Sequence, residues 1–319
     1  MKKFFALILA LVMALSLVAC GGGDGGSAKL RFVTGGESGT YYAFGSVIAQ
    51  HATNHAGINV VGLVGNGSQA NIEELQAGNA DLAFCQSDVM AYAYEGTNIF
   101  DAKVDCFSTV AALYTEQVQI VTVNPSIKTV ADLKGKNVSV GAAGSGVFFN
   151  AVDILGAYGL DVEKDINPTY QSFGDSADAL KDGKIDAAFI VAGAPTNAIT
   201  DLATTKAVSL VSLDDEHIDK LLASSPYYTK CTIPADVYGL DADTTTVGVG
   251  AVILARDDVS EDAIYALCAD IFDNAADLVS SHAKYGELSL EYAASITSVP
   301  YHAGAVKYFA EHNMTVAGK

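Results

Sequence analysis

The chain has 319 residues, half of them hydrophobic, which is enough to bury one large core or two smaller ones and too apolar for a disordered polymer. Thirty-seven acidic residues against eighteen basic ones give a net charge of -19. That excludes a basic face for nucleic acid and a polybasic hold on anionic lipid.

The amino terminus reads as an address. Lys2 and Lys3 precede an apolar run from Phe4 to Ala19, broken only by Ser16. The run is short for a membrane span and suits the h-region of a signal peptide. It ends in Leu17-Val18-Ala19-Cys20, followed by a glycine-rich stretch to Ala28. This pattern resembles a bacterial lipobox, which implies cleavage after residue 19, lipidation of the Cys20 sulfur and a flexible tether over 20–28. The other four cysteines, Cys85, Cys106, Cys231 and Cys268, have no metal-like spacing. Disulfides are permitted outside the cytoplasm, but no pairing can be read.

From Lys29 onward strands and helices alternate. Leu30 to Thr34 reads as a strand, and Tyr41 to Ala56 as a helix with Phe44, Val47 and Ile48 on one face. Ile58 to Val64 reads as a strand, Ala70 to Gln76 as a helix closed by Gly78, and Asp81 to Cys85 as a strand. The alternation resumes at Val138, which argues for α/β units with parallel strands. A gapless shift of 105 residues pairs Val33 with Val138, Gly36 with Gly141, Gly39 with Gly144 and Phe44 with Phe149. It also pairs Leu75 with Leu180, Gly78 with Gly183, Asp81 with Asp186 and Phe84 with Phe189. Two lobes of one construction are expected, 29–117 with 250–319 and 118–249. Ala111 to Val123 and Val247 to Leu254 are the candidate crossing strands, and a cleft between lobes is the place for a ligand.

Three segments share a strand, a glycine-rich turn carrying a hydroxyl, and a helix. They are Gly35 to Tyr42, Gly65-Asn66-Gly67-Ser68 and Gly141 to Gly146. Glycines admit close approach, Ser and Thr cap helices, and first-turn N–H groups favour an anion. One such turn is an ordinary βα connection; three around one cleft favour ligand binding. The candidate binding residues are Gly39, Thr40, Tyr41, Tyr42, Asn66, Ser68, Gly144, Ser145 and Gly146. Gln86 and Ser87 join them at a strand end, and Ala194 with Pro195 at the repeat-related position, with Pro195 expected to start the next helix. Tyr114 is expected to wall the pocket and Glu116 to meet a ligand ammonium group. Only Arg31 and Arg256 are arginines, and neither lies in a candidate pocket segment, so helix ends or lysine must hold any carboxylate.

Catalytic motifs are missing: there is no G-x-S-x-G elbow, Walker loop or H-E-x-x-H. Asp88 and Glu116 are the only acid–base pair that can be named for an enzyme. His51 and His55 stand one turn apart, where a solvated helix end is expected rather than a metal pair. No cofactor or metal is expected.

Taken together, these segments resemble the TAXI-type receptors of tripartite ATP-independent periplasmic (TRAP) transporters. The resemblance rests on Gly39 to Tyr42, Glu74 to Ala83 with Gln86-Ser87-Asp88, Ala131 to Lys136, Gly141 to Gly146, Val191 to Gly193, Pro226 to Tyr228 and Thr232 to Pro234. The family often has a proline before its crossing glutamate, where this chain has Thr115, and another after it, where this chain has Gln117. The resemblance implies a two-lobed type II periplasmic-binding-protein fold, extracytoplasmic and lipid-anchored. It implies a glutamate- or 2-oxoglutarate-like ligand and a TRAP membrane permease as partner. A ligand-sensing module signalling to a membrane kinase is the alternative.

Overall fold

A computed structural model describes residues 29–319. The expected signal peptide over 1–19, the expected lipidation site Cys20 and the expected tether over 20–28 lie outside the described residues. In chain order, the elements begin with β1 (Lys29–Val33), α1 (Thr40–His55), β2 (Asn59–Leu63), α2 (Ser68–Gln76), β3 (Leu82–Gln86) and α3 (Ser87–Glu95). The long β4 (Phe107–Thr122) leads to β5 (Asn137–Ser139), α4 (Val147–Ala157), β6 (Asn167–Thr169), α5 (Phe173–Lys181), β7 (Ala187–Ala192) and α6 (Asn197–Ala203). Next come β8 (Ser209–Leu210), α7 (Asp215–Ser224), β9 (Thr229–Ile233), the long β10 (Thr244–Arg256) and α8 (Glu261–Asp273). The carboxyl-terminal part adds α9 (Ala275–Leu278), α10 (Leu290–Ala293) and α11 (Ala303–Glu311).

The strands form one sheet in the order β2-β1-β3-β10-β4-β7-β5-β6, with β8 on β4 and β9 on β10. Pairing is parallel within β2-β1-β3 and within β7-β5-β6, and antiparallel through the middle. Because β10 is antiparallel to both β3 and β4, β3 and β4 run the same way, while β7 opposes β4. The carboxyl ends of the two parallel groups therefore face each other. Gln86 at the end of β3 pairs with Ala251, which pairs with Tyr114; Ala192 at the end of β7 pairs with Gln117. Both ends arrive at residues 114–117 of β4, the carboxyl-edge position where ligands of open α/β sheets sit.

Both faces of each parallel group are buried, which explains why the strands read as continuous apolar runs rather than as alternating patterns. Leu82 and Phe84 enter one core cluster, and Ala83 and Cys85 another. In the second lobe Ala187, Phe189 and Val191 pack on one side and Ala188, Ile190 and Ala192 on the other. β4 contributes to all four clusters: Leu113, Ala112, Ile120 and Val121 each enter a different one. The two long strands thus tie the cores together. Helices α8 and α11 complete the first lobe through Ile264, Leu267, Tyr308 and Phe309.

The repeat is borne by hydrogen bonds as well as by residues. Asp81 Oδ2 accepts from the Arg31 N–H at 2.8 Å, and Asp186 Oδ2 accepts from the Asn137 N–H at 2.9 Å. In each lobe the aspartate ties the strand before the first turn to the third strand. The equivalence corrects the gapless alignment. The Thr34 N–H donates to Leu63 O, and the Val140 N–H donates to Thr169 O. Over β1 and β5 the shift is thus one residue longer than over α2 and α5, and Val33 corresponds to Ser139 rather than to Val138. The extra residue falls between β2 and α2, where four residues stand against three between β6 and α5.

The four later cysteines are free thiols. His51 is not simply a solvated helix residue: its Nδ1 lies 2.9 Å from Asp270 Oδ1, and its ring stacks on His55. Among the described residues no group of three or more His, Cys, Asp or Glu side chains could hold a metal ion, and no helix is long and apolar enough to cross a membrane.

Phe189 is fully buried in the second lobe. Truncation there leaves a cavity that packed neighbours only partly fill, so Phe189→Ala is expected to cost about 3–5 kcal/mol. Urea denaturation followed by circular dichroism checks this, and a loss below about 1 kcal/mol would contradict the packing described.

Candidate functional site

A cavity of about 90 Å³, counted by the positions open to a water-sized sphere, lies where the two sets of strand ends meet. The first lobe lines it with Gly35, Gly36, Gly39, Thr40 and Tyr41, with Gly65 to Ser68, and with Gln86 and Glu116. The second lobe supplies Ala142, Ser145, Gly146 and Val147, then Ser172, Phe173, Val191 and Ala192.

Five helices, α1 to α5, begin at this cavity, and the caps of α1, α2 and α4 differ from the expectation. The N-cap positions of α1, α2 and α4 are Gly39, Gly67 and Gly146, and no side chain caps any of them. Ser and Thr therefore do not cap these helices. By contrast Ser172, Asp214, Ser260 and Ser289 cap α5, α7, α8 and α10 through their side chains. First-turn N–H groups need an acceptor, and where glycine replaces a capping side chain at the wall of a cavity, a ligand oxygen can supply it. Two of the glycines are required by geometry. Gly67 has φ of +107°, and a Cβ there would lie 3.0 Å from Ser145 Cα. A Cβ on Gly146 would lie 1.6 Å from Gln86 Oε1.

The lobes are closed on each other. Thr40 Oγ1 donates to Gly193 O at 2.9 Å, and the Ala198 N–H donates to Ser38 O at 3.2 Å. The Ala70 N–H donates to Gly144 O at 2.9 Å. Lys284, from the segment between α9 and α10, is buried; it donates to Ala194 O at 3.1 Å and lies 5.3 Å from the centre of the Tyr114 ring.

Glu116 is the only Asp, Glu, Lys, Arg or His among the residues that line the cavity. It is 2 % exposed and accepts a short hydrogen bond from the Tyr41 hydroxyl, whose ring stacks on Phe84. Burial pushes the Glu116 carboxyl well above the usual carboxylate range; the Tyr41 bond and the charge of Lys284 only partly oppose it. Burial likewise raises the Tyr41 hydroxyl. Behind the cavity, burial pushes Asp88 up to about 7 and raises Asp153. Gln86 Oε1 and Ser145 Oγ, both on cavity residues, are buried without a hydrogen-bond partner.

The structure brings Gly39, Thr40, Tyr41, Asn66, Ser68, Gln86, Glu116, Ser145 and Gly146 to one cavity. The remaining candidates stand around it. Tyr42 is half-buried on α1. Ser87 Oγ accepts from the Gly250 N–H at 2.9 Å, and Tyr114 lies behind the wall beneath Lys284. Gly144 bridges to Ala70, and Ala194 bridges to Lys284 and Gln117. Pro195 is exposed and does not start a helix: Thr196 is the N-cap and α6 begins at Asn197. Ser172 and Phe173 escaped the sequence reading because their turn has no glycine. The repeat carried the signal, since Phe173 opens α5 as Ser68 opens α2.

A carboxyl whose pKa is raised by folding holds a proton that the unfolded chain has released, so it weakens the fold as pH rises above the ordinary carboxylate range. Glu116→Gln is therefore expected to stabilise the ligand-free protein at about pH 8 and to do so less at about pH 5. Denaturant titrations at both values check the sign; a gain equal at the two pH values would show that Glu116 titrates normally.

Solved structures of similar fold include MatC from Rhodopseudomonas palustris with bound malate, at 15% identity and a TM-score of 0.57, covering 81% of this chain and 89% of that one. A protein from Bordetella bronchiseptica RB50 aligns at 18% identity and a TM-score of 0.54, over 89% of each chain. PhnD1 from Prochlorococcus marinus, in complex with methylphosphonate, aligns at 11% identity and a TM-score of 0.50, over 77% of this chain and 84% of that one. These likenesses show the two-lobed α/β fold of periplasmic binding proteins. Residues 32–312 match the NMT1-like family, and the chain belongs to it.

Proposed function

We propose that this protein is an extracytoplasmic receptor that closes on a small zwitterion, an α-amino acid, and delivers it to a TRAP-type membrane permease. The observation that carries the reading is the pairing of glycine-capped helix starts with one buried carboxylate in the same closed cavity. The helix starts suit a carboxylate, since their N–H groups and dipoles favour an anion without a fixed cation. Glu116 suits an ammonium group, which would replace the water that burial has removed.

This narrows the ligand class. A plain carboxylate such as 2-oxoglutarate would leave Glu116 facing an oxygen; glutamate and other amino acids would not. MatC with malate and PhnD1 with methylphosphonate each hold a small anion on a similar fold, in keeping with an anion end at the strand termini. In this reading residues 29–117 and 250–319 form one closing lobe and 118–249 the other, tethered to the membrane through lipidated Cys20. The resemblance of Gly39 to Tyr42 and Glu74 to Ala83 to TAXI receptors supports the TRAP partner.

Isothermal titration of the ligand-stripped protein with glutamate, glutamine, alanine, valine and 2-oxoglutarate tests the reading. At least one amino acid is expected to bind, to raise Tm as ligand linkage requires, and to bind more tightly at about pH 8 than at about pH 5. The sign follows from Glu116: an ammonium ligand binds its ionised form, so binding releases the proton that burial retains. Glu116→Gln is expected to weaken the amino acid by about 10- to 100-fold, the range for removing a charged partner from a buried hydrogen bond. Binding of 2-oxoglutarate alone, or no binding at all, would refute the amino-acid assignment.

A further inference from the structure

Asn150, fully buried on α4, stands between the two lobes directly behind the cavity. Its Oδ1 accepts from Gln86 Nε2 at 3.0 Å. Its Nδ2 donates to Asp88 Oδ2 and to the Tyr228 hydroxyl, each at 2.9 Å. Tyr228 in turn donates to Asp153 Oδ2 at 2.9 Å, and Asp88 Oδ1 accepts from the Val89 N–H at 2.9 Å.

The directions of these bonds follow from chemistry. An ionised carboxylate only accepts, so Asp88 calls for the amide nitrogen of Asn150. Tyr228 has given its one proton to Asp153, so it too accepts from Asn150. Both Asn150 N–H bonds are then used, its oxygen faces Gln86, and Gln86 answers with its own nitrogen. The Gln86 carbonyl oxygen is left over Gly146, at the cavity wall, buried and without a partner.

We propose that Asp88 and Asn150 are positioning residues that lock the Gln86 amide with its oxygen toward the ligand, so that the site accepts a hydrogen-bond donor there and rejects a carbonyl. This rests on the amino-acid reading and gives it a second discriminating acceptor beside Glu116. A ligand ammonium has three N–H bonds to share between the two. A 2-oxo acid has none, and it leaves the Gln86 oxygen buried and unpaired, worth on the order of 10- to 100-fold in affinity.

The test uses the full-length protein at about pH 8.5, above the titration of Asp88. Titrations pair glutamate with 2-oxoglutarate and alanine with pyruvate, in the wild type and in Asp88→Asn and Asn150→Leu. The readout is the ratio of oxo-acid Kd to amino-acid Kd, which a general loss of stability would not shift. The wild-type ratio is expected to exceed about 100, and both variants to lower it by about 10-fold or more, because Gln86 becomes free to turn its nitrogen to the ligand while Glu116 still discriminates. Should neither variant fold, Gln86→Met serves: it removes the acceptor outright and is expected to weaken the amino acid while sparing the oxo acid. A ratio unchanged in the variants, with both affinities falling together, would reduce Asp88 and Asn150 to structural members of the interface. For Gln86→Met, equal losses for amino acid and oxo acid would overturn the relay. A wild type that binds none of these four compounds, and neither glutamine nor valine, refutes the amino-acid reading and the relay with it.

Discussion

Three helices start at one buried cavity without a side chain to satisfy their first N–H groups, and this is the constraint from which the site follows. Backbone donors removed from water need acceptors. At α7, α8 and α10, and at α5 where Ser172 also lines the cavity, serines and an aspartate provide them. At α1, α2 and α4, glycines stand in that place. The substitution is consistent with close approach: at Gly146 a single methyl group would collide with Gln86, and at Gly67 it would press on Ser145. The backbone is kept bare because another chain segment, or a ligand, must come within contact distance.

In the proposed reading, closure and recognition draw on the same residues. Thr40 lines the cavity and also donates across the cleft to Gly193. Gln86 ends β3, lines the cavity and reaches Asn150 on the opposite lobe. Glu116 lies on β4, the strand shared by both cores. A group that binds the ligand and bridges the lobes lets ligand contact favour the closed form over the open one, which is what differential affinity requires of a ligand-driven change. Lys284 adds a fixed bridge from outside the cavity, holding Ala194 from the far end of the sequence.

Much of this was legible in the sequence because it is local. The three glycine turns announce themselves by composition, the strand-helix alternation by its periods, and the repeat by shared residues such as Asp81 with Asp186. What was not legible depends on long-range meeting. Phe173 opens α5 after a connection, 170–172, with no glycine, and reaches the site only through the fold. Lys284 lies ninety residues beyond the carbonyl it holds. Asn150 sits inside an apolar helix and shows no sign of its three partners until α3 is packed against it. The capping role expected of Ser and Thr failed for a related reason. Composition finds the hydroxyl near a helix start, but whether it caps depends on which residue takes the N-cap position, and at α1, α2 and α4 that residue is glycine.

The most direct measurement is a crystal structure of the protein with its bound amino acid at a resolution that separates carboxylate from ammonium by contact geometry. The account predicts the ligand carboxylate against the first-turn N–H groups of α1, α2 and α4, and the ammonium group on Glu116. A ligand bound the other way round, or one held entirely by side chains with those N–H groups left to water, would contradict it.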